Sequence, residues 1–342
     1  MNVRVLEETV KALIANCKGL LAIDESNQTC DNRFIAVGIP HTKDTRRSYR
    51  EMIITTPDLG DCINGVILSD ETIRQKSTSG MLFVTHLVNS GIIPGIKVDT
   101  GAKPMAGHPG ETITEGLDGL RDRLSAYAHL GAKFAKWRAV FELDDVRPTL
   151  GCLAANAQAL ARYASLCQEA GLVPVVEPEV LMDGHHTFQQ CSEVTEAVLR
   201  AVFSELYIQR VRCEGIILKP NMVLPGASCP HQASADEVAD ATVQSLLRSV
   251  PAAVQGIAFL SGGQSPQQAS IHLNAIHARR HAPLPWTVTF SFARAIQQPA
   301  LGIWHGLEAN AVAAQHAIQH RILCNRNARQ GKYAAASDMA QS

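Results

Sequence analysis

The residues able to do chemistry in this chain fall in a regular order. Asp24, Asp70, Lys97 with Asp99, Lys136 with Arg138, Glu177 with Glu179, Lys219 and Arg294 each stand in, or just after, a short apolar run. Lone charges are costly to bury and are seldom fully buried unpaired. Ionisable groups closing one apolar run after another therefore point to a shared polar centre, although any one of them alone could belong to an ordinary surface ion pair. Lys97, Lys136 and Lys219 are three of only ten lysines. A lysine beside a second cation and shielded from water tends to lose its proton, and such tuning can bring it down to about 7–8. The free amine can attack a carbonyl, and the resulting Schiff base draws electrons out of a neighbouring carbon–carbon bond. Glu177 can take and return the protons this requires, with Asp24 assisting.

Strand alternation sharpens the expectation. Lys136 and Arg138 share a face with Phe134, Glu177 shares one with Glu179, and Lys97 with Asp99, while Trp137 and Leu218 turn the other way. In a closed barrel, layers draw side chains from alternate strands, so Lys136 and Lys219 are expected to meet in one layer with Glu177 between them. Ser261-Gly262-Gly263 closes a seventh run, and Ser265-Pro266 opens a helix after it, which offers backbone N–H groups and a hydroxyl to an anion. Arg294 adds a fork-shaped cation. Loops after the seventh and eighth strands are the usual phosphate site of such a barrel. Ser26, Thr29 and Lys97 could hold a second anion on the opposite side. Two anion sites flanking a carbonyl-attacking lysine predict a sugar bisphosphate.

The elements that must position these groups are short β-branched runs at 19–23, 65–68, 95–99, 134–140, 173–177, 215–219, 257–260 and 286–292. Helical periodicity separates them, as in 111–130, 154–170 and 193–211, and Ser234 to Glu237 forms a capping box. This alternation predicts an α/β chain folded as a single-domain (β/α)8 TIM barrel over residues 1–333, with an N-terminal helix. Pattern alone leaves a doubly wound sheet open. The Ala/Ser/Gln-rich tail, 334–342, is expected to be flexible.

The 342 residues are 46% hydrophobic and 18% charged, the composition of a globular protein. Lys plus Arg total 31 against 32 for Asp plus Glu, a net charge of −1 without a polybasic block, so neither a nucleic acid nor an anionic membrane is an expected partner. Glu7 and Glu8 interrupt the apolar N-terminus, which reads as an amphipathic helix and not as a signal segment, and no later apolar run is long enough to span a bilayer. A cytoplasmic protein is expected. The nine cysteines never come closer than 13 positions and suggest reduced thiols, not a disulfide framework. Asp183-Gly184-His185-His186 looks metal-like, but adjacent histidines point apart on an extended segment, so an exposed loop is expected. His316 and His320, at i and i+4, read as surface or satisfied histidines.

The chain resembles class I fructose-1,6-bisphosphate aldolase over essentially residues 13–333. The matching segments are LAIDES (21–26), GIKVDTG (95–101), GETITEGLDGL (110–120), AKWR (135–138), LVPVVEPEVLMDG (172–184), GIILKPNMVLPG (215–226), FLSGGQS (259–265) and QGKY (330–333). The resemblance implies Lys219 as the Schiff-base lysine, Glu177 as the main acid and base, and Asp24, Lys136 and Glu179 as assisting residues. It implies Ser261, Gly262 and Arg294 at one phosphate, with Gly263 in the same loop, and Ser26, Thr29, Arg33, Lys97 and Arg138 around the other phosphate and the chain hydroxyls. Thr29 stands where many relatives carry Ser. No metal and no other cofactor is implied, and a homo-oligomer, in the family commonly a tetramer, is. Two departures stand out. Ala293 precedes Arg294 where Gly is expected, which would be strained at positive φ. Relatives with a long tail end in a tyrosine serving proton transfer and product release, whereas this sequence closes at Ser342 without one, so that step is expected to be slower, water-mediated or carried otherwise. A Schiff-base aldolase preferring sedoheptulose 1,7-bisphosphate, and a barrel serving chiefly as a binding scaffold, are the alternatives.

Overall fold

The computed structural model describes residues 3–279 and 283–339. Eight parallel strands close into a barrel: β1 (Gly19–Ile23), β2 (Ile63–Leu68), β3 (Ile93–Lys97), β6 (Phe134–Phe141), β7 (Val173–Val180), β8 (Ile217–Leu218), β9 (Gly256–Phe259) and β10 (Thr287–Phe292). The two remaining strands, β4 (Gly101–Pro104) and β5 (Thr112–Glu115), pair antiparallel as a hairpin inserted after β3. The expected α/β barrel is therefore present, with each strand within a few residues of its expected place.

Side-chain alternation divides each strand between two environments. Inward at the N-terminal end lie Leu20, Ala22, Ile67, Phe134, Val173, Val175, Ile217 and Ala258, closed from below by Leu6, Val10 and Leu13 of the helix Val3–Leu13. The next inward positions, two residues further along the same faces, are Asp24, Lys97, Lys136, Glu177 and Lys219. The barrel is thus plugged with hydrocarbon below and lined with charge above. Gly95 allows this plug, because a Cβ there would lie 2.3 Å from the ring of Phe134. On the outward faces Trp137 packs on Tyr163 at 5.5 Å between ring centroids, and the Tyr163 hydroxyl donates to the Ala135 carbonyl at 2.7 Å.

One expectation about elements needs correction. The periodic segment 111–130 is helical only over Leu120–His129; its first part is β5, where Thr-Ile-Thr alternates β-branched residues and Gly116 (φ 126°) and Gly119 (φ 64°) stop the strand and open the helix. Ala335–Met339 forms a short helix in which Asp338 is buried, because Arg321 and the Tyr333 hydroxyl both donate to its carboxylate.

Candidate active site

The C-terminal mouth of the barrel opens into a cavity of about 810 Å³ lined by Asp24, Lys97, Lys136, Arg138, Glu177, Glu179 and Lys219, among others. Lys136 and Lys219 come from strands on either side of β7, and the Glu177 carboxylate stands between them. Lys136 Nζ is 2.9 Å from one of its oxygens and Lys219 Nζ 2.9 Å from the other. Lys136 also donates to Asp24 Oδ2 at 2.7 Å, across the barrel. All four residues are at least 95% buried. Burial alone would drive Lys136 toward its neutral form, but Asp24 and Glu177 outweigh it and hold the ammonium well above its usual value. The same attraction overcomes burial at the carboxylates: Lys136 and Lys219 keep Asp24 down at about 2 and Glu177 below its ordinary range.

Lys219 lies one residue past β8, and its N–H still donates to the Val176 carbonyl at 2.8 Å, so the ladder fixes its Cα while the side chain turns inward. Glu179 accepts from Arg138 Nε at 2.5 Å. Lys97 Nζ is 2.6 Å from Asp99 Oδ1, and Asp99 Oδ2 accepts from the Arg138 N–H at 3.2 Å, which ties β3 to β6.

Of the residues expected around the two anions, all but Gly263 line this cavity. Ser261 and Gly262 line it, and Gly262 lies so close to Glu179 that a Cβ there would be 2.4 Å from Oε1. Gly263, at φ 70°, makes the turn but packs on Met182 and is not part of the lining. Arg294 lines the cavity at the start of the helix Arg294–Trp304 and has no ion-pair partner among the described residues. Arg294→Ala should therefore raise KM for a phosphorylated substrate. With about 1.5–3 kcal/mol for hydrogen bonds to a charged group, kcat/KM should fall roughly 10- to 100-fold, measured by steady-state kinetics. Opposite, Ser26 caps the helix Asn27–Ala36, with its hydroxyl 2.9 Å from that of Thr29. Arg33 joins them in the lining, held by Glu25 at 2.6 Å.

Other expectations are revised. Ala293 has φ −113°, so its methyl brings no left-handed strain. Ala293→Gly should leave KM unchanged and lose about 0.4–1 kcal/mol of stability through the freer unfolded chain, read by denaturant titration. Asp70 does not reach the cavity: its side chain is 60% exposed and accepts from Arg74 and Tyr127. His185 is exposed, but His186 is buried, so that loop is only partly as expected. Sequence reasoning missed Glu25, which lies two residues past β1 in the cavity lining and is clamped by Arg33, Arg50 and Gln297. Its position directly after Asp24 was the available signal. Ser291, an inward residue of β10, was also missed.

Two buried lysines sharing a carboxylate at the mouth of a (β/α)8 barrel, between cationic walls, define an enzyme that handles a phosphorylated carbonyl compound. A family model described as fructose-bisphosphate aldolase class-I matches residues 5–342. A probable fructose-bisphosphate aldolase class 1 of Xanthomonas campestris is 53% identical over 334 residues, covering 97% of this chain and 99% of the relative. Fructose-bisphosphate aldolase C of Rattus norvegicus is 47% identical, over 97% and 92% of the two chains. The solved fructose-bisphosphate aldolase of Plasmodium falciparum, crystallised with TRAP and a small-molecule inhibitor, superimposes with a TM-score of 0.95 at 43% identity, covering 97% of this chain and 96% of that one. The chain belongs to the class I fructose-bisphosphate aldolase family. Its reaction is the reversible Schiff-base cleavage of fructose 1,6-bisphosphate into dihydroxyacetone phosphate and glyceraldehyde 3-phosphate, with a lysine imine as electron sink.

Proposed function

We propose that Lys219 is the imine-forming lysine and that Glu177 serves as its acid and base. The observation that carries this reading is the placement of one buried carboxylate 2.9 Å from each of two buried lysines, of which Lys136 is held as a cation by Asp24. Glu177 first takes a proton from Lys219 Nζ, 2.9 Å away; the freed amine attacks the C2 carbonyl, a second proton passes from nitrogen to the carbonyl oxygen, and Glu177 returns its proton to the carbinolamine hydroxyl, which leaves as water and gives the iminium. The same carboxylate then removes the proton of the C4 hydroxyl, the C3–C4 bond breaks, and its electron pair passes into the iminium as an enamine. Glyceraldehyde 3-phosphate departs. Reprotonation at C3 and hydrolysis release dihydroxyacetone phosphate and restore the amine. Lys136 stabilises the developing oxyanion as a fixed cation, and Asp24 keeps it charged and in place. Glu179 orients Arg138.

Arg294, Ser261 and Gly262 hold one phosphate in this reading. Ser26, Thr29, Arg33, Lys97 and Arg138 hold the other phosphate and the chain hydroxyls, and Gly263 shapes the loop. Fructose 1,6-bisphosphate is the preferred substrate, with the sedoheptulose analogue turned over less efficiently; kcat/KM for the two, measured side by side, tests this, and a larger value for the longer sugar would reverse the assignment. A chelator should leave turnover unchanged. The family resemblance supports a homo-oligomer, to be measured by light scattering. The nine free cysteines support a reducing, cytoplasmic setting; among the described residues no helix is long and apolar enough to cross a membrane.

A further inference from the structure

The helix Ala311–Arg329 carries a cluster that the reaction does not use. His320 and Cys324 stand four residues apart, on one face of the helix, and Asp338 closes over them from the helix Ala335–Met339. His320 Nε2 lies 2.6 Å from Asp338 Oδ1 and 3.7 Å from Cys324 Sγ, and one ligand atom from each of the three residues falls within 4.8 Å of the others. The other carboxylate oxygen, Oδ2, accepts from Arg321 and from the Tyr333 hydroxyl.

We propose that His320, Cys324 and Asp338 bind a divalent cation of the zinc type, separate from the catalytic cavity. An imidazole nitrogen, a thiolate and one carboxylate oxygen are the donor set that suits zinc and not magnesium or calcium. Tetrahedral zinc, with Zn–N of about 2.0 Å and Zn–S of about 2.3 Å, sets its nitrogen and sulfur ligands about 3.5 Å apart, close to the 3.7 Å found. Asp338 Oδ1 has to give way, from 2.6 Å to roughly 3.3 Å from Nε2. Arg321 and Tyr333, by holding Oδ2, supply the outer hydrogen bonds that orient a ligating carboxylate. Cys324 is buried, while the His320 side chain is 24% exposed, which opens a path for the ion and leaves room for water as a fourth ligand.

Binding takes Cys324 as the thiolate and displaces its thiol proton to solvent. Arg321 also donates to the Pro266 carbonyl at 2.7 Å, at the start of the helix that follows Ser261-Gly262-Gly263. The ion would therefore fasten the tail to the element that follows the expected phosphate loop.

The test titrates the chelator-stripped full chain with zinc against a chromophoric chelator, and with cobalt in parallel, reading the thiolate-to-cobalt charge-transfer band. One equivalent should bind and the band should appear. Cys324→Ser and His320→Ala should each weaken binding at least about tenfold, and Cys324→Ser should abolish the band while its circular dichroism stays unaltered. Cys17→Ser, which removes an exposed thiol, should change nothing. No stoichiometric binding to the unaltered chain, or binding and band that survive Cys324→Ser or vanish in Cys17→Ser, would overturn the proposal.

Discussion

Lys219→Ala is expected to lose turnover by at least about 10⁴-fold, more than about 5.5 kcal/mol of transition-state stabilisation, while the barrel stays folded by circular dichroism and thermal melting. The substitution removes the amine but no backbone contact, since the N–H at position 219 still reaches the Val176 carbonyl. It leaves no orphaned charge either, because Glu177 keeps Lys136 as partner. Lys136 cannot take over as nucleophile, being held as a cation by Asp24 and Glu177. Lys219→Arg should be equally inactive: it restores a positive charge, but a guanidinium does not deprotonate and forms no imine. Substantial turnover in either variant would show that the nucleophile lies elsewhere.

Glu177→Gln should slow both carbinolamine dehydration and bond cleavage. Turnover should fall roughly 10²- to 10⁴-fold, the range for loss of a general acid–base group, while dihydroxyacetone phosphate still forms the imine slowly and is trapped on Lys219 on long incubation. Stability should fall as well. Lys136 retains Asp24, but Lys219 loses its carboxylate, and breaking one side of a buried pair costs about 3–5 kcal/mol. The pH dependence has a definite sign. Because the lysines hold Glu177 below its ordinary range in the folded chain, its stabilising contribution is fully present above the usual carboxylate pKa and is lost as pH falls through the folded value. Denaturant titrations should thus show the largest gap between variant and unaltered chain near neutral pH, narrowing in acid. A constant gap would mean that the variant acts through packing and not through charge.

The parts of this architecture that were legible in sequence are those in which chemistry violates burial. Lys136, Glu177 and Lys219 sit on strands whose other inward residues are Phe134, Val175 and Ile217, so charge on an apolar face could be read directly as a polar centre. The hairpin β4–β5 was not legible, because Thr-Ile-Thr-Glu followed by a long apolar-periodic stretch satisfies helical spacing until Gly116 and Gly119 are given their positive φ. Asp70 follows a strand as Asp24 does, yet the chain turns into the helix Asp70–Ile73 there and carries the carboxylate to the surface. Glu25 was hidden for the opposite reason: apart from its place beside Asp24, what marks it is tertiary, since its partners Arg33, Arg50 and Gln297 lie on three different helices, 8, 25 and 272 residues away. The tail's order likewise depends on Arg321 and Tyr333 reaching Asp338, a tertiary event that composition does not encode.

The decisive measurement is reduction with borohydride in the presence of dihydroxyacetone phosphate, followed by peptide mass mapping. A single secondary-amine adduct on the peptide bearing Lys219, absent when the ketone is omitted, is the predicted result. An adduct on Lys97, Lys136 or any other lysine instead, or full turnover with no trapped species, would contradict the assignment of the imine to this side chain.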